Sequence, residues 1–167
     1  MILDALTIFS GSFNQLTGQV GQAVNGAGSF LSTNTLDSSG SGGINGGVSP
    51  ADMGIGEGLD ISISVLTAPT VGTSVQFQLV QADDAALSVN LQVINQTDAY
   101  PIASLPAGAV VYLHMDRAAP YPPKRFLGLR YVNVGAIATA SYIAAMVKNP
   151  HDFTKSVSLV KSGYAIS

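Results

Sequence analysis

Between Leu59 and Gln81 the chain alternates apolar and polar residues twice, once on each side of a turn. Leu59, Ile61, Ile63 and Val65 are separated by Asp60, Ser62 and Ser64, and Val75, Phe77 and Leu79 are separated by Gln76 and Gln78. Successive side chains of a strand point to opposite faces, so a period of two gives each segment one face for a core and one for water or a partner. The intervening Ala68-Pro69-Thr70-Val71-Gly72-Thr73 holds a proline with restricted φ and a permissive glycine, the chemistry of a chain reversal. The pattern predicts an antiparallel hairpin at the centre of an all-β domain.

The same reading extends along the chain. Strands are expected over 5–10, with Leu6 and Ile8 on one face, and over 29–37. Residues 11–28 are expected as an extended arm, because each of their five glycines (Gly11, Gly18, Gly21, Gly26, Gly28) would cost a helix about 1 kcal/mol. Further strands are predicted over 87–93, with Leu87, Val89, Leu91 and Val93 inward, and over 109–115 and 137–147. Another covers 125–132, with Phe126, Gly128 and Arg130 on one face and Leu127, Leu129 and Tyr131 on the other. About eight strands separated by frequent turns predict an antiparallel β-sandwich or jelly roll with extended loops and termini. The 167 residues suit a single core. One domain is expected over 1–148, containing a Gly/Ser-rich loop insertion at 38–54, with a C-terminal extension at 149–167.

Charge is sparse and uneven. Asp, Glu, Lys and Arg make up 10% of the chain and mean hydropathy is +0.35, yet no apolar run is long enough for a transmembrane helix. The first residues lack the basic start of a secretory signal, so the mature chain is expected to begin at Met1. Cysteine is absent, which removes disulfides, thiolate nucleophiles and cysteine zinc sites together. Residues 1–100 carry eight acids and no Lys or Arg, a sum of -8, while the remainder carries seven bases and two acids, a sum of +5. Such polarity suits head-to-tail association; it also arises where the two halves intermix in one sandwich.

Little in the sequence suggests chemistry. His114 lies in a strand beside Asp116, and His151 precedes Asp152, but no Gly-x-Ser-x-Gly elbow accompanies them. Glu57, Asp60, Asp83 and Asp84 are carboxylates of the type glycoside hydrolysis uses, three of them placed where turns and strand starts ordinarily carry acids. Asp83-Asp84 supplies too few oxygens for calcium. The glycines of 40–58 lead into no helix, so they are not a dinucleotide fingerprint. Lys124, Arg125 and Arg130 interleave with Tyr121, Phe126 and Tyr131, but a pI near 5.0 opposes nucleic-acid binding. No enzyme activity, cofactor or metal is expected.

Three segments together resemble a known family. They are Met1-Ile-Leu-Asp-Ala-Leu-Thr-Ile-Phe-Ser, then Ile55-Gly-Glu-Gly-Leu-Asp-Ile-Ser-Ile with Val75-Gln-Phe-Gln-Leu-Val-Gln-Ala-Asp-Asp, and Lys124-Arg-Phe-Leu-Gly-Leu-Arg-Tyr. In order and spacing, over most of 1–148, they resemble the capsid cement, or head-decoration, proteins of tailed bacteriophages, which have a jelly-roll fold. The insertion at 38–54 and the extension at 149–167 depart from the compact pattern. The resemblance implies a protein made in the host cytoplasm and carried on the outside of the virion. There it would bridge capsomers of major capsid protein as a homo-oligomer, dimer or trimer, with no specific nucleic acid or membrane as partner. Candidate protein contacts are Ile2, Leu3, Arg117, Lys124, Arg125, Arg130, Lys155, Val157 and Leu159. The alternation around Val157 and Leu159 would suit an arm added to a neighbour's sheet edge, or a strand finishing the chain's own sheet. An alternative function is a carbohydrate- or receptor-binding module with Tyr112, Tyr121 and Tyr131 as stacking residues.

Overall fold

The computed structural model describes residues 8–14, 18–37, 59–115 and 124–147. Its strands are β1 (Ile8–Ser10), β2 (Ser12–Asn14), β3 (Gly18–Val20), β4 (Gln22–Ala23), β5 (Gly26–Leu31), β6 (Leu36–Asp37), β7 (Leu59–Thr70), β8 (Ser74–Ala82), β9 (Gln92–Gln96), β10 (Tyr100–Pro101), β11 (Val110–Met115), β12 (Phe126–Ile137) and β13 (Thr139–Val147). One sheet of the sandwich runs β1-β13-β7-β11, with β4 also on β13; the other runs β10-β8-β12-β5, with β6 on β12 and β9 on β8; β2 and β3 form a separate two-stranded sheet. Every pairing is antiparallel. The result is the jelly-roll-like β-sandwich that the alternation predicts.

The two central strands are not a hairpin. β7 pairs with β11 and β13 in the first sheet, and β8 with β9, β10 and β12 in the second. The chain therefore crosses between sheets at 71–73 as an arch. Either arrangement demands one apolar face per strand, so the sequence pattern does not distinguish them. The choice comes from β12 and β13, whose long ladders occupy the edges of β8 and β7. Proline 69 is inside β7 and buried; the β7–β13 ladder slips between Thr139 and Ser141, opposite it, where a residue without an N–H is tolerated. The reversal itself is made by Val71 and Gly72, at φ 60° and 82°.

The core lies between the sheets. Ile61, Ile63 and Val65 face Val75, Phe77 and Leu79, with Leu127, Leu129 and Tyr131 from β12 and Tyr142 and Ala144 from β13. The two-face reading of β12 is borne out: Leu129 and Tyr131 are buried inward while Arg130 points out. Phe77 meets Tyr131 and Tyr142 edge-on at 5.8 and 5.4 Å. Burying a large side chain of this kind contributes roughly 1.5–3 kcal/mol, and the edge-on geometry adds to it.

A smaller cluster lies on the outside of the second sheet, where Leu87 covers Val80 and Ala82 with Leu31, Leu91, Val93 and Phe126 around them. Here the strand expected over 87–93 is corrected. Only β9, from Gln92, is a strand; Leu87 and Asn90 have φ of 53° and 50°, and Val89 is exposed rather than inward. Asp84 accepts the N–H groups of Ser88 and Val89 at 2.8 and 2.7 Å. That local side-chain bonding competes with a ladder and wins. Leu87 lies so close over Gly128 that a Cβ there would come within 2.5 Å of its Cδ1.

Candidate interaction surfaces

Of the basic residues singled out from sequence, Lys124, Arg125 and Arg130 belong to β12 and its approach. Their environments differ. Lys124 Nζ reaches both carboxylate oxygens of Asp83 at 3.1 Å, and its backbone N–H donates to Gln81 Oε1. Arg125 makes two parallel bonds to Asp37, from Nε at 3.0 Å and Nη2 at 2.8 Å, and its guanidinium lies 4.9 Å over the Phe126 ring. The bond to Asp37 raises its already high pKa. Both pairs join an acid of the first hundred residues to a base of the remainder, so the charge polarity of the sequence is met within one molecule here. The halves intermix because β7 lies on β13 and β8 on β12.

Arg130 is held differently. Its Nε donates to Gln78 Oε1 at 2.6 Å, and Gln78 Nε2 donates to Gln96 Oε1 at 2.9 Å and Gln76 Oε1 at 3.2 Å. The amide row fixes the guanidinium on the outer face of the sheet without cancelling its charge. Among the described residues, no carboxylate reaches it.

β11 ends the sheet order of its sheet. Val65 N–H donates to Ala109 O at 2.9 Å, and the register Val111↔Ile63 and Leu113↔Ile61 continues that phase. The main-chain groups of Val110, Tyr112 and His114 therefore point away from β7. The His114 carbonyl accepts from Asn95 Nδ2 at 2.6 Å. Val110 and Tyr112, 42% and 41% exposed, carry no charge that would discourage another strand. Sequence reasoning took this segment only as a strand; its place at the edge follows from long-range pairing.

The sequence model of the Bbp16 family matches residues 19–147. The chain belongs to the Bbp16 family. By its name this is a phage-related family. No curated protein matches the chain. The Bbp16 match takes in β4 through β13 and hence both sheets of the sandwich.

Within the Bbp16 fold Asp37, Asp60, Asp83, Asp84 and His114 make contacts inside the molecule. His114 Nδ1 lies 2.8 Å from Asp60 Oδ1 on the outer face of the first sheet. Bonds from Asn90 and Lys124 hold the Asp83 carboxyl below its usual range, and bonds from Val89 and Ser88 do the same for Asp84. Among the described residues, no three metal-ligating side chains converge, and no helix is long and apolar enough to cross a membrane. Tyr131, offered above as a sugar-stacking residue, is corrected: it is fully buried and stacks on Tyr142. Burial pushes its hydroxyl pKa up. Ile2, Leu3, Arg117, Lys155, Val157 and Leu159, together with Tyr121, lie outside the described residues.

Proposed function

We propose that the protein is a structural cement, or decoration, protein that binds the outside of a phage head, bridges capsomers of major capsid protein and stabilises the shell against packaged DNA. The observation that carries this reading is the Bbp16 match over 19–147 on an antiparallel sandwich whose described acids and bases are largely engaged in holding the fold. Adhesive work suits such a frame. Its edge strand β11, where Val110 and Tyr112 are exposed and uncharged, favours association between copies, and many weak contacts over a lattice gain strength through avidity without any one being tight. Arg130, oriented but not neutralised among the described residues, adds a cationic point on the opposite sheet for a partner's polar rim.

The test is to titrate the purified protein onto shells assembled without it and then heat them. Saturable binding to the outer surface and a higher temperature of DNA release are expected. Absence of binding, or an unchanged release temperature at full occupancy, would overturn the reading.

A further inference from the structure

The sandwich is polar along its length. At one end lie Asp37, Asp60, Asp83, Asp84, His114, Lys124 and Arg125, at or beside the terminal residues of β6, β7, β8, β11 and β12. The residues that flank 38–58, 116–123 and 148–167, namely Asp37, Leu59, Met115, Lys124 and Val147, lie at this same end. The other end is closed by 24–28, 70–73, 99–104 and 134–139, and none of these segments contains Asp, Glu, Lys or Arg. Asp98, just before Tyr100, is the nearest charge along the chain.

Two arches form the crest of the uncharged end. One is Val71-Gly72-Thr73 between β7 and β8; the other runs from Gly135, near the end of β12, through Ala138, between β12 and β13. Thr73 N–H donates to Val134 O and Ala138 N–H to Thr70 O, each at 2.8 Å. A Cβ on Gly135 would lie 3.0 Å from Gly72 Cα, so the two backbones are in direct contact. Val71 is 65% exposed and Val134 51% exposed, the two most exposed large apolar side chains among the described residues.

Val71 is also strained. Its φ of 60° is left-handed, and a β-branched residue there is an outlier. Two successive left-handed residues are ordinarily made by Asn-Gly. A largely exposed valine in that position lowers fold stability, whereas asparagine would fit both the backbone and the water. Strain kept at an exposed apolar tip is accounted for when the tip is buried in a complex.

We propose that this uncharged end is the docking tip, which seats Val71 and Val134 in an apolar, uncharged depression on the outer surface of a shell subunit. The assignment rests on the head-decoration reading and adds which end meets the shell. The charged end then faces outward or toward neighbouring copies. A depression lined by carboxylates or bases would suit this tip poorly, because the crest segments contain no Asp, Glu, Lys or Arg to neutralise them and their desolvation would be under-compensated.

The experiment compares Val71→Asn, Val71→Asn/Val134→Thr and Val89→Thr with the parent protein. Val89 is 50% exposed but lies in the 83–91 loop at the charged end, so it controls for loss of any surface valine. Thermal unfolding is expected to show Val71→Asn melting higher by roughly 2–4 °C, as modest relief of backbone strain would give a domain of this size. Titration onto shells assembled without the protein is expected to show affinity at least tenfold lower for both Val71 variants and unchanged for Val89→Thr. Parent-like shell affinity in the double variant, with parent binding intact, would overturn the tip assignment and leave the decoration reading standing. A Val71→Asn protein that melts no higher than the parent would overturn the strain argument and with it the proposal. A parent protein that does not bind shells at all would overturn both readings together.

Discussion

Tyr131 and Tyr142 reach toward each other from opposite sheets and stack with ring centroids 5.3 Å apart and planes 10° apart. The two hydroxyls fare differently. Tyr131 donates to Ser10 Oγ at 2.7 Å, while the Tyr142 hydroxyl is buried and without a partner among the described residues. Burial pushes the Tyr142 pKa up to about 12.

A substitution that keeps the ring and removes the hydroxyl should therefore act with opposite sign at the two positions. Tyr142→Phe is expected to raise stability by about 1 kcal/mol, because it deletes a polar atom buried without a bond. Tyr131→Phe leaves Ser10 without its partner and is expected to cost about 1–2 kcal/mol. Denaturant unfolding of the two variants beside the parent checks the sign directly.

The contact between Leu87 and Gly128 predicts a coupled pair. Gly128→Ala places a methyl against Leu87 Cδ1 and is expected to destabilise by about 1–3 kcal/mol through overpacking. Combining it with Leu87→Ala should cost less than the two changes added together, since the second makes room for the first. A double-mutant cycle in unfolding free energy measures the difference; strict additivity would mean that the 83–91 loop is not held by this contact.

Acid should release the same loop. Asp83 and Asp84 both titrate below their ordinary value of 3.8 in the folded protein. Their contribution is thus complete above that value and is lost as the pH falls through the lower folded values. Amide hydrogen exchange at Ser88 and Val89, bonded to the Asp84 carboxylate, is expected to show protection at neutral pH that disappears in this acid range before the sandwich unfolds. Replacing Asp84 with Asn should weaken that protection at neutral pH.

The β11 edge makes a prediction about assembly. Val110→Lys and Tyr112→Lys place a charge on an exposed strand that ends its sheet, a device that blocks edge pairing. Each is expected to leave stability within about 0.5 kcal/mol of the parent, as surface changes usually do, while lowering self-association in sedimentation measurements and co-operativity of shell filling. Unchanged association in both variants would exclude the edge as a contact between copies.

The sequence by itself determined the class of fold and the inward set. Ile61, Ile63, Val65, Val75, Phe77, Leu79, Leu129 and Tyr131 all face the core, because a strand's period of two assigns faces whatever its partners are. It also marked Gly72 as part of a reversal. It could not tell a hairpin from an arch, because alternation carries no information about which strand lies alongside; that was decided by β12 and β13, more than forty residues away along the chain. The 87–93 segment misled for a related reason: its alternation was real, but the carboxylate of Asp84 captured the N–H groups a ladder would have used. Of the candidate contacts, Lys124, Arg125 and Arg130 were visible by residue type, yet only the tertiary structure separated two bases closed by aspartates from one oriented by amides. The exposed edge of β11 and the strained Val71 on the uncharged end were likewise beyond the sequence. Both depend on where the chain's distant segments come to rest, and on which backbone groups that packing leaves turned toward the outside.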